Sequence, residues 1–279
     1  MESTMQDVHA LKGQDFVRVS YPKDLARLVK ESQEKAAAFW TLPDEIKDSF
    51  GYQPDTVRSG VGYQSAESGR DPKEHFHVRL ADAAWLREQT ARVDHPAVTA
   101  IVETALELLV RLKPFAQDDF LRPAERELDV PDLAKKTLAS HEFWLLRFLH
   151  YHEGSEAEEF AAEHVDKGAF TAHLLETDSG FERYTPEGKW EPVEFGDGET
   201  MIIAGLGLQY LSRCQLIAMH HRVVANERTR TTGRDSIVCF FAFEDQVHYD
   251  KGKWGPTQQF PAGYFYRMPF EEFRTYFIQ

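Results

Sequence analysis

Cysteine is nearly absent from this chain: 279 residues hold two, Cys214 and Cys239. With no Cys pair at metal-ligand spacing, a thiolate metal centre is excluded, and reduced thiols in a cytoplasmic compartment are the expectation. Positive charge is in deficit too, with 32 Lys and Arg against 46 Asp and Glu and a net charge of −14. A nucleic-acid partner needs clustered Lys and Arg to meet its phosphates, so none is expected. The same deficit argues against an anionic membrane surface. It leaves room for an anionic small molecule, because a few buried Arg residues make a locally positive cavity in an acidic protein. Long apolar runs are missing. The longest, around Met201 to Leu208, contains two Gly and is far too short to span a bilayer. The N-terminal Met1 to Asp7 is acidic and has no apolar core, so no signal peptide is expected. Repeats and low-complexity segments are also lacking.

What is present is a substantial apolar complement. Hydrophobic residues make up 42% and aromatics 13%, with 20 Phe, enough for a sizeable core and ring-lined pockets. The length suits a single domain over residues 1–279, with a helix-rich part at 14–140, a β-rich core at 142–245 and a tail at 246–279. Residues 14–20 alternate as a short strand. After Pro22 a helix is predicted from Lys23 to Trp40, with Leu25, Leu28, Val29, Ala36 and Phe39 at three- and four-residue spacings. Leu42 to Lys47 starts a second, short helix. Gly51 to Pro72 reads as a loop carrying Arg58 and Tyr63, and Lys73 to Leu80 as a strand. A long amphipathic helix follows Pro96 and ends near Leu121.

From Glu142 the pattern changes to short apolar runs separated by turn signals: Trp144–Tyr151, Ala169–Thr177, Trp190–Val193, Thr200–Ile203, Leu208–Leu211, His220–Ala225 and Ser236–Phe243. Such runs predict a sandwich or barrel of short strands. The Glu- and Ala-rich Glu153–Glu163 reads as a solvated loop or a turn of helix. The tail from Tyr264 reads as a closing helix. The predicted fold class is α+β: a double-stranded β-helix, or jelly roll, with N-terminal helices packed on it.

Three short motifs carry chemistry. In Glu163-His164-Val165-Asp166, strand alternation puts an imidazole and a carboxylate on one face. A second His run, His220-His221-Arg222-Val223-Val224, begins a β-branched stretch suited to a buried strand. Two imidazoles and one carboxylate on one side of a ferrous ion leave its other face open, the facial ligand set of non-haem iron oxygenases. Further on, Arg234 and Ser236 share a strand face, a guanidinium fork and a hydroxyl able to hold a carboxylate. Arg228 and Arg230 are rivals for that role. His75 and His77 form another His-x-His pair, most simply read as cavity or surface histidines.

With these motifs the chain resembles the isopenicillin N synthase-like group of 2-oxoglutarate/Fe(II) dioxygenases. The resemblance runs from about Phe16 to Phe243. It includes Ala38 to Lys47, Gly62-Tyr63, Asp71 to Phe76, Leu146 to Tyr151, His164 to Thr171 and Gly188 to Val193. It implies that His164, Asp166 and His221 bind Fe(II), with His221 preferred to His220 because the match runs through His-Arg-Val-Val. Arg234 and Ser236 would bind the distal carboxylate of the cosubstrate 2-oxoglutarate, with Tyr151 a further donor. Arg147 matches a position that reaches substrate, and His75 falls where the group lines its substrate pocket. Arg58 and Tyr63 are added as candidate polar contacts. No catalytic residue beyond the metal ligands is expected. The chain departs from the group at Leu206, where an Asp often follows the Gly, and at Leu149-His150-Tyr151-His152.

The implied activity is O2-dependent oxidation of an unactivated C–H in a small metabolite, such as an amino acid derivative or natural-product intermediate. Hydroxylation is the first expectation, with desaturation or ring closure on the same site, and succinate and CO2 are released. An iron oxidase of the same fold that does without 2-oxoglutarate, and a non-catalytic metal-binding jelly-roll protein, are the alternatives.

Overall fold

The computed structural model describes residues 15–51, 60–66, 73–243, 248–250, 253 and 260–278. Arg58 lies outside the described residues. Strand β1 (Phe16–Ser20) leads into helix α1 (Lys23–Trp40) and a short α2 (Asp44–Asp48). The antiparallel pair β2 (Gly62–Ala66) and β3 (Lys73–Val78) follows, then α3 (Ala83–Val93) and α4 (Pro96–Phe115). A π-helical stretch, Ala116–Leu121, joins α4 to α5 (Arg122–Leu128), and α6 (Leu133–Ala139) ends the helical part. Next come β4 (Leu145–Tyr151), β5 (Glu159–Val165), β6 (Phe170–Glu176), β7 (Phe181–Tyr184), β8 (Trp190–Pro192) and β9 (Glu199–Ala204). After them are α7 (Leu206–Leu211), β10 (His220–Val224), α8 (Glu227–Thr232) and β11 (Arg234–Phe241). The tail holds β12 (His248–Tyr249), α9 (Phe270–Phe273) and β13 (Phe277–Ile278).

The strands form a seven-stranded sheet in the order β1-β9-β6-β11-β4-β3-β2 and a four-stranded sheet in the order β5-β10-β7-β8. Strand pairing is antiparallel in both. The larger sheet separates two cores by the two-residue period of its strands. Val17, Val19, Leu146, Phe148, Ile202, Ala204, Ile237, Cys239 and Phe241 face the helices, against Leu25, Leu28, Phe39, Ile101 and Leu109. The alternate residues Phe16, Leu149, Tyr151, Met201, Ile203 and Val238 face the smaller sheet, against Phe160, Ala161, Phe181 and Val223. The expected jelly roll with helices on one side is the fold found.

Several boundaries differ from expectation, each for a physical reason. Part of the expected Gly51–Pro72 loop is strand β2. It is the edge of the larger sheet, so its sequence, Gly-Tyr-Gln-Ser-Ala, lacks the apolar alternation of an inner strand. The end of the expected solvated stretch Glu153–Glu163 is strand β5, which buries Phe160, Ala161 and Ala162 beneath a run of Glu. Leu208–Leu211, grouped with the strand-like runs, belongs to helix α7. An apolar run this short fits either period. The expected closing helix is only the four residues of α9. Phe260, Phe265 and Phe273 of the tail instead build a small third core with Leu206 and Ala218. Among the described residues, no helix is long and apolar enough to cross a membrane.

Candidate metal and carboxylate site

Strands β5 and β10 pair so that His221 stands directly opposite His164, and the ladder shifts register immediately after. The two rings lie 4.3 Å apart at 54°. Asp166 is one residue beyond the end of β5, in a turn held from the far side: Leu206 N–H donates to the Asp166 carbonyl at 2.8 Å, and Gly207 N–H to the Gly168 carbonyl at 2.9 Å. That approach needs glycine at 205, where a Cβ would meet the Gly168 carbonyl oxygen at 2.3 Å. One ligand atom from each of His164, Asp166 and His221 lies within 4.8 Å of the others.

Hydrogen bonds set the ligand atoms. His164 Nδ1 donates to the Ala162 carbonyl at 2.7 Å, and His221 Nδ1 to the Met219 carbonyl at 3.1 Å. A carbonyl only accepts, so each Nδ1 carries a proton, which leaves Nε2 as the ring nitrogen facing a metal. His164 Nε2 is 3.8 Å from Asp166 Oδ1, while Asp166 Oδ2 accepts a 2.5 Å hydrogen bond from the Thr171 hydroxyl. Burial opposes the charge on Asp166, but His221, His164 and the Thr171 hydroxyl outweigh it and hold the carboxyl below its ordinary range. Burial, with His164 adding to it, holds His221 well below the ordinary imidazole range. An ionised carboxylate beside neutral imidazole is the protonation state that ligation requires. His220 points to the opposite face, its ring 6.0 Å from Trp190 and 6.4 Å from Tyr184.

The facing sheet supplies the second half. Helix α8 is capped by Asn226, whose Oδ1 accepts the Thr229 N–H at 2.8 Å. It ends at Gly233, with φ +69°, which turns the chain into β11. Arg234 and Ser236, on the inner face of β11, line the same cavity as the triad, with Tyr151 and Arg147 of β4. The Arg234 guanidinium lies 5.6 Å over the Tyr151 ring and donates to Ser236 Oγ at 2.9 Å. Arg228, itself exposed, instead pairs with the buried carboxylate of Asp178, and Arg230 donates to the Ser155 carbonyl.

Two residues in this cavity escaped the sequence reading. Glu176, at the end of β6, pairs its Oε2 with Arg234 Nη2 at 2.6 Å and also accepts the Ser236 hydroxyl. Its Oε1 accepts from His173 Nδ1 at 2.8 Å. Their only sequence signal is position: His173 is two residues past Thr171, and Glu176 is at the end of the run that follows His-x-Asp. Thr171 was visible only as part of the family resemblance.

Of the remaining candidates, Arg147 reaches the cavity with its guanidinium 4.7 Å from the Phe240 ring. His75 is paired across from Leu149 on the same sheet face, further toward the edge, stacked on His77 with rings 4.3 Å apart. It does not line this cavity. Tyr63 is turned into the helical core, where its hydroxyl donates to Glu74 Oε1 at 2.7 Å beside buried Lys47.

No protein-family model matches the chain. It is 27% identical over 215 residues to the 2-oxoglutarate-dependent dioxygenase gloE of Glarea lozoyensis. That match takes in 73% of this chain and 61% of gloE, so the chain spans about three fifths of that relative's length. Among solved structures it resembles a full-length Neurospora crassa protein in complex with α-ketoglutarate and 5-formyluracil, at 16% identity and a TM-score of 0.71 over 93% of this chain and 86% of that one. The rice dioxygenase for auxin oxidation superposes with a TM-score of 0.67 and 22% identity, over 88% of this chain and 80% of that one. The chain therefore shares the jelly-roll fold of these proteins.

Proposed function

We propose that this chain is an Fe(II)- and 2-oxoglutarate-dependent oxygenase acting on a small metabolite, with His164, Asp166 and His221 holding the iron. The observation that carries the reading is one cavity lined both by the clustered ligand atoms of His164, Asp166 and His221 and by the Arg234–Ser236 pair. The residues fit a ferrous ion in type, protonation and spacing. Bound there with 2-oxoglutarate, iron would supply O2-dependent oxidation of a C–H bond, with release of succinate and CO2.

The chain's own residues do the rest. Thr171 fixes the carboxylate of Asp166, and the Ala162 and Met219 carbonyls fix both imidazoles, so the ligands need little reorganisation. Arg234 and Ser236 offer charge-assisted donors to a carboxylate from buried positions. Tyr151 forms the floor beneath Arg234, its ring stacked on Phe160. Arg147 is a candidate polar contact for substrate, and its charge suits an acidic metabolite. Hydroxylation is the first expectation, and desaturation or ring closure would use the same groups. The low cysteine content fits a cytoplasmic enzyme and the net charge of −14 argues against a nucleic-acid partner, while natural-product metabolism is what the family resemblance suggests.

A second reading has a specific observation behind it. Because Glu176 engages Arg234, an iron oxidase that needs no 2-oxoglutarate is the alternative. The test is an anaerobic titration with Fe(II) and then 2-oxoglutarate, followed by the weak visible charge-transfer band of the chelate. The band is expected in the parent protein and not in His221→Ala. Tight iron binding without the band would favour the oxidase.

A further inference from the structure

The groups that would receive the far end of a dicarboxylate are already holding a carboxylate, and it belongs to the chain. Glu176 Oε2 is 2.6 Å from Arg234 Nη2 and accepts the Ser236 hydroxyl; both the Arg234 and Glu176 side chains are 1% exposed. A local irregularity delivers it there. Strand β6 pairs His173 with Val238, and regular pairing would then set Leu175 against Ser236. A register shift between Ile237 and Val238 instead sets Glu176 against Ser236 and turns its side chain to the inner face. A second carboxylate arriving while Glu176 stayed would put two like charges on one buried guanidinium. Glu176 and His173 line a second, larger cavity as well, about 700 Å3, bordered by Arg27, Lys30 and Gln33 of α1.

We propose that Glu176 is the specificity-determining residue for the cosubstrate. It competes with the distal carboxylate for Arg234 and Ser236, and leaves them toward the larger cavity when a dicarboxylate binds. The proposal rests on the reading of the site as an iron and 2-oxo-acid site. Its consequence is that the distal carboxylate adds little net affinity in the natural chain.

The experiment is anaerobic calorimetry on Fe(II)-loaded protein with 2-oxoglutarate and with 2-oxobutyrate, which lacks the distal carboxylate. The parent protein should prefer 2-oxoglutarate by less than about tenfold. Glu176→Gln should strengthen 2-oxoglutarate binding about tenfold or more, the scale of one charge-assisted hydrogen bond, and leave 2-oxobutyrate unchanged. Glu176→Asp, which keeps the charge but shortens the reach, should fall between the two. A preference of about a hundredfold or more in the parent protein, or a Glu176→Gln variant that binds both acids as the parent does, overturns the proposal and leaves the oxygenase reading standing. Binding of neither acid by the parent or by Glu176→Gln overturns both. Should Glu176→Gln fail to fold, the preference ratio in the parent protein alone decides.

Discussion

On the four-stranded sheet and the turn that follows β5, His164, Asp166 and His221 have their rear atoms tied down and their front atoms left for a metal. On the seven-stranded sheet, Arg234, Ser236 and Glu176 engage one another. Exposure separates them at one residue: the His164 side chain is 44% exposed and gives the triad a face toward solvent although Asp166 and His221 are buried, whereas Arg234 and Glu176 are each 1% exposed. In the proposed reading the metal half is preorganised and reached past His164, so a metal would enter without rearrangement. The carboxylate half is preorganised and closed, so a ligand there must exchange with a group already in place. Removing a metal ligand should therefore abolish binding at little cost to the fold, and removing a member of the closed half should cost the fold first.

The largest expected effect breaks the open half. Asp166→Ala or His221→Ala should eliminate stoichiometric Fe(II) binding in equilibrium dialysis, with the denaturant midpoint of the apo-protein close to that of the parent. Full iron occupancy in either variant would rule out these ligands. The next effect breaks the closed half. Arg234→Gln leaves the Glu176 charge buried without its counterion, a loss of about 3–5 kcal/mol in stability for a buried pair deprived of one partner. Urea unfolding measures it. The double variant Arg234→Gln/Glu176→Gln should recover much of the loss, and equal losses in single and double variants would show that the pair is not coupled.

The same division decided what could be read in the sequence. His-x-Asp, His-Arg-Val-Val and Arg-x-Ser are short motifs whose chemistry depends on residue type, so the triad and Arg234 were legible before any fold was known. Glu176 was not, because its place beside Arg234 comes from a one-residue shift between β6 and β11, and the residue pattern here does not mark that local bulge. Asp166 was found for a partly mistaken reason: it sits in the turn after β5, not on the strand face shared with His164. The jelly roll was legible from short apolar runs, such as Ile237 to Phe241, separated by turn signals. Strands β2 and β5 were missed because an edge position and a Glu-rich surface hide the alternation. Tyr63 looked like a loop residue by composition, and the pairing of Gly62–Ala66 with β3 turned it into the core instead.

A smaller effect tests how far the open half depends on its supports. Thr171→Val removes the only hydroxyl given to Asp166 among the described residues while keeping the shape of the side chain. Iron affinity should fall roughly 10- to 100-fold, the usual cost of losing a group that orients a ligand. Thr171→Ser should restore most of it. An unchanged affinity in Thr171→Val would mean that the backbone turn around Gly168 and Gly205 positions the carboxylate alone.

The smallest expected effect concerns the far end of the closed sheet, where His75 and His77 stack beside Arg147 and Lys73. Burial is the main cause that pushes His75 down to about 3, with Arg147 and then Lys73 adding to it, and His77 is held well below its ordinary value for the same leading reason. Both imidazoles are thus neutral in the folded chain, while in the unfolded chain they take up a proton near pH ~6.5. The unfolded state binds more protons below that pH, so stability rises with pH there and is lost as the pH is lowered. The contribution of His75 is fully present above pH 6.5 and is lost progressively as the pH drops toward 3. Thermal unfolding of the apo-protein should show a midpoint that declines between about pH 7 and about pH 5, and His75→Gln should flatten that decline by removing one of the protons. A decline of the same slope in His75→Gln would place the acid sensitivity elsewhere, with His141 and His220, both also lowered mainly by burial, the next to replace.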